Sequence, residues 1–163
     1  MSDYGESFFL CAFLFMSFCY SQNNFNIGLS GGFSSIKKGN GTNENFYFGY
    51  NTSKNITIGI DGVINQVKVD GITLKNNIIL SYIEGGIPEK GMIKDKLYFS
   101  GIVGLGYIEQ KIININENTG TIFIGTKLNY KLYQNFLIGI KSGYYFSKLD
   151  NIIIANLFLT YKL

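Results

Sequence analysis

The chain contains no histidine, no arginine and no tryptophan, a single proline (Pro88) and two cysteines, Cys11 and Cys19. Each absence removes a class of chemistry. Without histidine there is no Ser–His or Cys–His nucleophile, and the common transition-metal ligand set is missing. Without arginine, bidentate recognition of phosphates and base edges falls to lysine, which does it poorly. No stretch interleaves lysine with aromatics as a nucleic-acid groove requires. Charged residues make up only 15% of the chain, against roughly 25% in a typical soluble domain. The "GLG" run at 104–106 carries two glycines of a dinucleotide loop, without the following helix or the rest of that fingerprint. No catalytic residue, no cofactor, no metal and no nucleic-acid partner are expected.

What is abundant points to strands. Of the 163 residues, 46% are hydrophobic and 16% aromatic, with 12 Tyr, 14 Phe and 20 Gly. That length suits one domain. Aromatic and β-branched residues in such numbers favour sheet over helix and argue against disorder.

The N-terminus reads separately. "FFLCAFLFMSF" (8–18) is free of charge. As a helix it would span roughly 16 Å, too short for a bilayer but suited to the apolar core of a secretory signal. Cys19 and Ser21 are small residues at positions −3 and −1 of a cut before Gln22. The preceding "MSDYGES" carries Asp3 and Glu6 and no lysine, whereas an export signal starts positive. The expected division is a signal peptide over 1–21 and one domain over 22–163. Removal of the leader takes away both cysteines, so the mature chain has no thiol and no disulfide. It also takes away two acidic residues, which raises the formal charge of +3 by two.

The rest of the chain repeats a five-residue pattern: "NFNIG" (24–28), "NFYFG" (45–49), "NITIG" (55–59), "TIFIG" (121–125) and "NFLIG" (135–139). A polar turn-former is followed by apolar residues at positions two and four and by glycine at five. Positions two and four share one face of a strand. Glycine shares the other with position three. Extension by period two predicts strands near 24–34, 45–52, 55–66, 76–87, 96–109, 120–132, 135–146 and 151–163. Several approach the ten or so residues that a tilted membrane strand needs. The connections at 52–54 and 133–135 read as tight turns. Those at 35–44, 66–75 and 111–120 read as long polar loops, and 88–95 and 147–150 as intermediate links.

The two faces sort consistently. In "LYFSGIVGLGY" (97–107), Leu97, Phe99, Val103, Leu105 and Tyr107 share one parity. Tyr98, Ser100, Gly104 and Gly106 take the other, with Ile102 the one large apolar residue among them. Across the strands one face is bulky and apolar, and the other gathers Gly, Ser, Asn and a few lysines. A water-facing exterior would carry more charge. The second face suits the crowded interior of a narrow barrel, and the first suits contact with lipid. The aromatics expected on the lipid face are Phe25, Phe46, Phe48, Tyr50, Phe99, Tyr107, Tyr130, Phe136, Tyr144 and Tyr161. They fall near strand ends, as membrane interfaces select. The interior polar cluster is Asp61, Lys127 and Lys141 with Glu84, whose strand is apolar on both parities and so leaves its direction open.

The final strand, "ANLFLTYKL" (155–163), alternates to the last residue. With "GIVGLGY" (101–107) and "GTKLNYKLYQN" (125–135), residues 22–163 resemble the small outer-membrane β-barrel family, the OmpA/OmpX-like "porin family" proteins of Bacteroidota. The resemblance implies an all-β fold, an eight-stranded antiparallel up-and-down transmembrane barrel with both ends in the periplasm. It implies a monomer in the outer membrane of a Gram-negative bacterium, with membrane lipid as its surroundings. It also implies a C-terminal strand read by the barrel-insertion machinery, although Leu163 stands where Phe or Trp is usual. The family has no shared catalytic residues, and the lipid-modifying barrels of this size use histidine. Three roles remain: a structural or surface-interaction barrel with its lumen plugged by side chains, a narrow pore, and a soluble periplasmic lipocalin-like carrier of an apolar ligand.

Overall fold

The computed structural model describes residues 24–53, 55–86, 96–112 and 115–163. The expected signal peptide over 1–21 and the whole of the 88–95 link lie outside these residues. Eight strands follow in order: β1 Phe25–Ile36, β2 Gly39–Ser53, β3 Ile56–Val69, β4 Ile72–Gly86, β5 Leu97–Ile112, β6 Ile115–Lys131, β7 Phe136–Ser147 and β8 Ile152–Lys162. Each pairs antiparallel with its sequence neighbour, and β8 closes on β1 to form a barrel. Closure removes every sheet edge over the shared part of the wall, so backbone groups there are paired within the chain.

Parity divides the wall as the sequence suggests. Leu29, Phe33, Ile60, Leu105 and Leu157 are exposed on the outside, while Asp61, Asn65, Ser100, Lys127 and Asn156 are buried inside. All ten aromatics named above occupy outward positions. Six of them make ring contacts near the strand ends, with Phe25 against Phe48 and Tyr50, Phe136 against Tyr161, and Tyr144 against Phe146.

The connections differ from expectation. The segments 35–44, 66–75 and 111–120 are not long loops. They are strand arms, with Ile36 paired to Gly39 and Val69 to Ile72 across tight turns, and Ile112 paired to Ile115. At the second of these, Asp70 and Gly71 both take positive φ, 49° and 82°. That is the two-residue geometry whose twist matches antiparallel strands. Along the β2 arm both faces are polar, which hides it from period-two analysis, whereas the 66–75 arm keeps Val67, Val69 and Leu74 on its inward face. Asn40, Thr42 and Glu44 alternate with Asn43 and Asn45 along β2, so pairing continues where hydrophobic alternation stops. Gly86 and Leu97, the strand ends on either side of the longest connection, instead lie at the same end as the start of β1, the end of β8 and the ends of β2 and β6. This end is the terminal rim. The opposite end is the hairpin rim.

The interior is also bulkier than its glycine content suggests. Tyr47, Leu80, Tyr82, Phe123, Tyr145 and Phe158 all point inward and are buried. Glycine on adjoining strands makes their room. A Cβ on Gly28 would come within 2.3 Å of the Tyr47 ring, and one on Gly143 within 2.3 Å of Phe123. Large side chains seated on glycine backbone therefore pack inside the narrow barrel.

Candidate functional site

The four interior charged residues come from four strands and meet as two ion pairs. Lys127 of β6 lies 2.9 Å from Glu84 of β4, and Lys141 of β7 pairs with Asp61 of β3. Glu84 therefore points into the lumen, which its doubly apolar strand could not reveal. Ile78, Leu80 and Tyr82 share its parity and are buried.

The two pairs have different surroundings. Asp61 is 0% exposed. Its carboxylate accepts from Lys141 and, at 3.4–3.5 Å, from the Asn45 amide. Asn156 in turn donates to Asn45 at 3.0 Å and to Asn43 at 2.5 Å. The Lys141 ammonium sits 5.1 Å from the Phe123 ring centroid. Glu84 accepts from Ser100 at 2.6 Å as well as from Lys127, and Asn129 supports Ser100 at 3.4 Å. Lys127 also lies over two rings, 4.5 Å from Tyr47 and 4.9 Å from Phe158. Each ammonium thus has a carboxylate and at least one aromatic face, the arrangement that offsets desolvation of a buried cation.

The open space in the lumen is uneven. A polar vestibule of about 110 Å³ opens at the terminal rim, with Asn26, Asn51, Thr57 and Asn129 on its walls and Glu84 and Lys127 among its lining groups. Between the two ion pairs the void shrinks to about 10 Å³, enclosed by Tyr47, Leu80, Tyr82 and Ile102. That is at the lower limit for a single water. No group of three or more potential metal ligands gathers among the described residues.

Sequence reasoning found the charged residues and missed the rings that pack around them. Their signal was present: position three of the repeat shares the glycine face. In "NFYFG" and "TIFIG" that position holds Tyr47 and Phe123.

No protein-family model matches the chain, and no curated protein matches it in sequence. Its shape does have solved counterparts. The N-terminal β-barrel domain of Pseudomonas aeruginosa OprF is 14% identical with a TM-score of 0.66, over 87% of this chain and 98% of that one. Neisserial surface protein A, NspA, is 11% identical with a TM-score of 0.68, over 85% and 97%. Ail, the attachment invasion locus protein of Yersinia pestis, was solved with the heparin analogue sucrose octasulfate. It is 15% identical with a TM-score of 0.55, over 86% and 97%. At such identities the likeness is one of fold. The chain has the closed eight-stranded antiparallel fold of small outer-membrane β-barrels.

Proposed function

We propose that the protein is a monomeric barrel of a Gram-negative outer membrane, with a structural or surface-interaction role, no enzymatic activity and a lumen plugged by its own side chains. The observation that carries the plug is the void of about 10 Å³ between the two ion pairs. A hydrated ion needs far more space than one water. The outward band supports the membrane setting. On β7 it runs from Phe136 through Ile138, Ile140 and Tyr144 to Phe146. About ten residues at ~3.3 Å, tilted by ~40°, give the ~25 Å apolar height of such barrels. The outward face of the final strand, with Leu157, Leu159 and Tyr161, is the segment offered to insertion machinery.

A soluble carrier of an apolar ligand finds less support. The inward apolar residues Leu80, Ile102 and Phe123 are buried in packing, and the vestibule is walled mainly by polar groups.

The test has two parts. The membrane fraction, run on SDS gels with and without boiling, is expected to show a heat-dependent shift in migration. Full recovery in the aqueous fraction would sink the membrane reading. In planar bilayers the protein is expected to give no large, steady channels. Asp61→Ala is expected to lower thermal stability without creating them. Large, steady conductance from the unmutated protein would overturn the plug.

A further inference from the structure

We propose that a notch on the outward wall, where β6 runs past the end of β7, holds a phosphate-bearing lipid. Its acyl chain would lie against Leu105, Ile122 and Phe146, and its phosphate on Lys148. The inference rests on the outer-membrane reading above. β6 begins at Ile115, but pairing with β7 reaches only Thr121, opposite Ser147. Residues 115–120 therefore pair with β5 alone. The missing neighbour leaves an open groove of about 520 Å³. Leu105, Ile122 and Phe146 form its apolar walls, Gly120 leaves its floor low, and Lys148 and Asn151 stand at its hairpin-rim end.

Charge and level both favour a lipid headgroup there. Lys148 makes no ion pair among the described residues. Of the acids on the neighbouring strand and turn, Glu109 pairs with Lys111 at 3.2 Å and accepts from Asn77, and Asp150 accepts from Gln110. The Phe146 ring lines the notch at the upper end of the apolar band, and the Tyr144 ring packs against it at 4.4 Å. Aromatics at that height mark the headgroup level, where a lysine attracts lipid phosphate. A larger groove of about 610 Å³ crosses the outward wall between Phe48, Ile60, Ile83 and Val103, but no cation lines it. It has an apolar surface and nothing to select a headgroup, so it serves as a control.

The chain has no tryptophan, so Tyr144→Trp places a single emitter beside the notch. The full-length protein is reconstituted in phosphatidylcholine vesicles with equal mole fractions of chain-brominated phosphatidylglycerol or chain-brominated phosphatidylcholine. Bromine on the anionic lipid is expected to quench about two- to fivefold more, the scale of one lysine at a membrane surface. The preference is expected to vanish with Lys148→Gln and to be absent for Ile83→Trp in the control groove. Equal quenching by the two lipids, or a preference that survives Lys148→Gln, overturns the inference. Quenching by neither lipid overturns the membrane reading instead. Tyr107→Trp, opposite Gly120 on the neighbouring strand, repeats the measurement if Tyr144→Trp does not fold.

Discussion

The lumen holds two lysine–carboxylate pairs of the same chemistry at two depths. Asp61–Lys141 is closed in on all sides, and its carboxylate is 0% exposed. Glu84–Lys127 borders the vestibule, and the Glu84 side chain retains 14% exposure. The difference teaches that one sequence feature, a lysine on a glycine-rich face, can make two unequal elements. Removal of one partner from a sealed pair strands a charge that water cannot reach, whereas a pair beside a wet cavity has solvent as a substitute. Lys141→Met should therefore cost about 3–5 kcal/mol. The double variant Asp61→Leu with Lys141→Met should recover most of that, because it removes the bare charge with its partner. Denaturant titration read by the heat-dependent gel shift measures both. If the single and double variants unfold together, charge burial is not what makes the deep pair costly to break.

The second prediction tests the shallower pair directly. Glu84→Gln leaves the Lys127 ammonium over the rings of Tyr47 and Phe158 and at the border of the vestibule. A loss of about 1–2 kcal/mol is expected, smaller than for Lys141→Met in the same titration. A loss equal to that of the deep pair would mean that the vestibule gives no effective solvation, and the contrast between depths would disappear.

The barrel could be read from the sequence because its wall has two environments that alternate with the pleat. "LYFSGIVGLGY" sorts correctly: Val103 and Leu105 face outward and Ser100 and Ile102 inward. Lys127 and Lys141 were recognisable because each interrupts an apolar strand on the glycine parity. Glu84 was not, since Ile79 and Ile83 on one side and Ile78 and Leu80 on the other give its strand no polar face. Closure of the barrel settles its direction, through contacts with Ser100 and Lys127 from strands later in the chain. The hairpin arms fail for a different reason. Along the β2 arm both faces are polar, so hydrophobic periodicity carries no information about pairing there. Turn chemistry does carry it at one place. Asp70–Gly71 lies between the alternating Val67 and Val69 on one side and Ile72 and Leu74 on the other, the strongest short-range hairpin signal a sequence offers.

That turn yields the smallest predicted effect and extends the contrast from the lumen to the hairpin rim. Asp70 holds φ at +49°, a conformation that short polar residues tolerate and β-branched ones do not. Asp70→Val should strain the turn by about 1–2 kcal/mol, whereas Asp70→Asn and Asp70→Gly should be close to neutral. Asp70 and Gly71 are exposed at the hairpin tip, so this strain should open the tip locally and leave the barrel intact. Amide hydrogen exchange at 66–75 is expected to quicken about tenfold in Asp70→Val, with the gel-shift transition almost unmoved. A transition lowered as far as in Glu84→Gln would show that the arms and the lumen unfold as one cooperative unit.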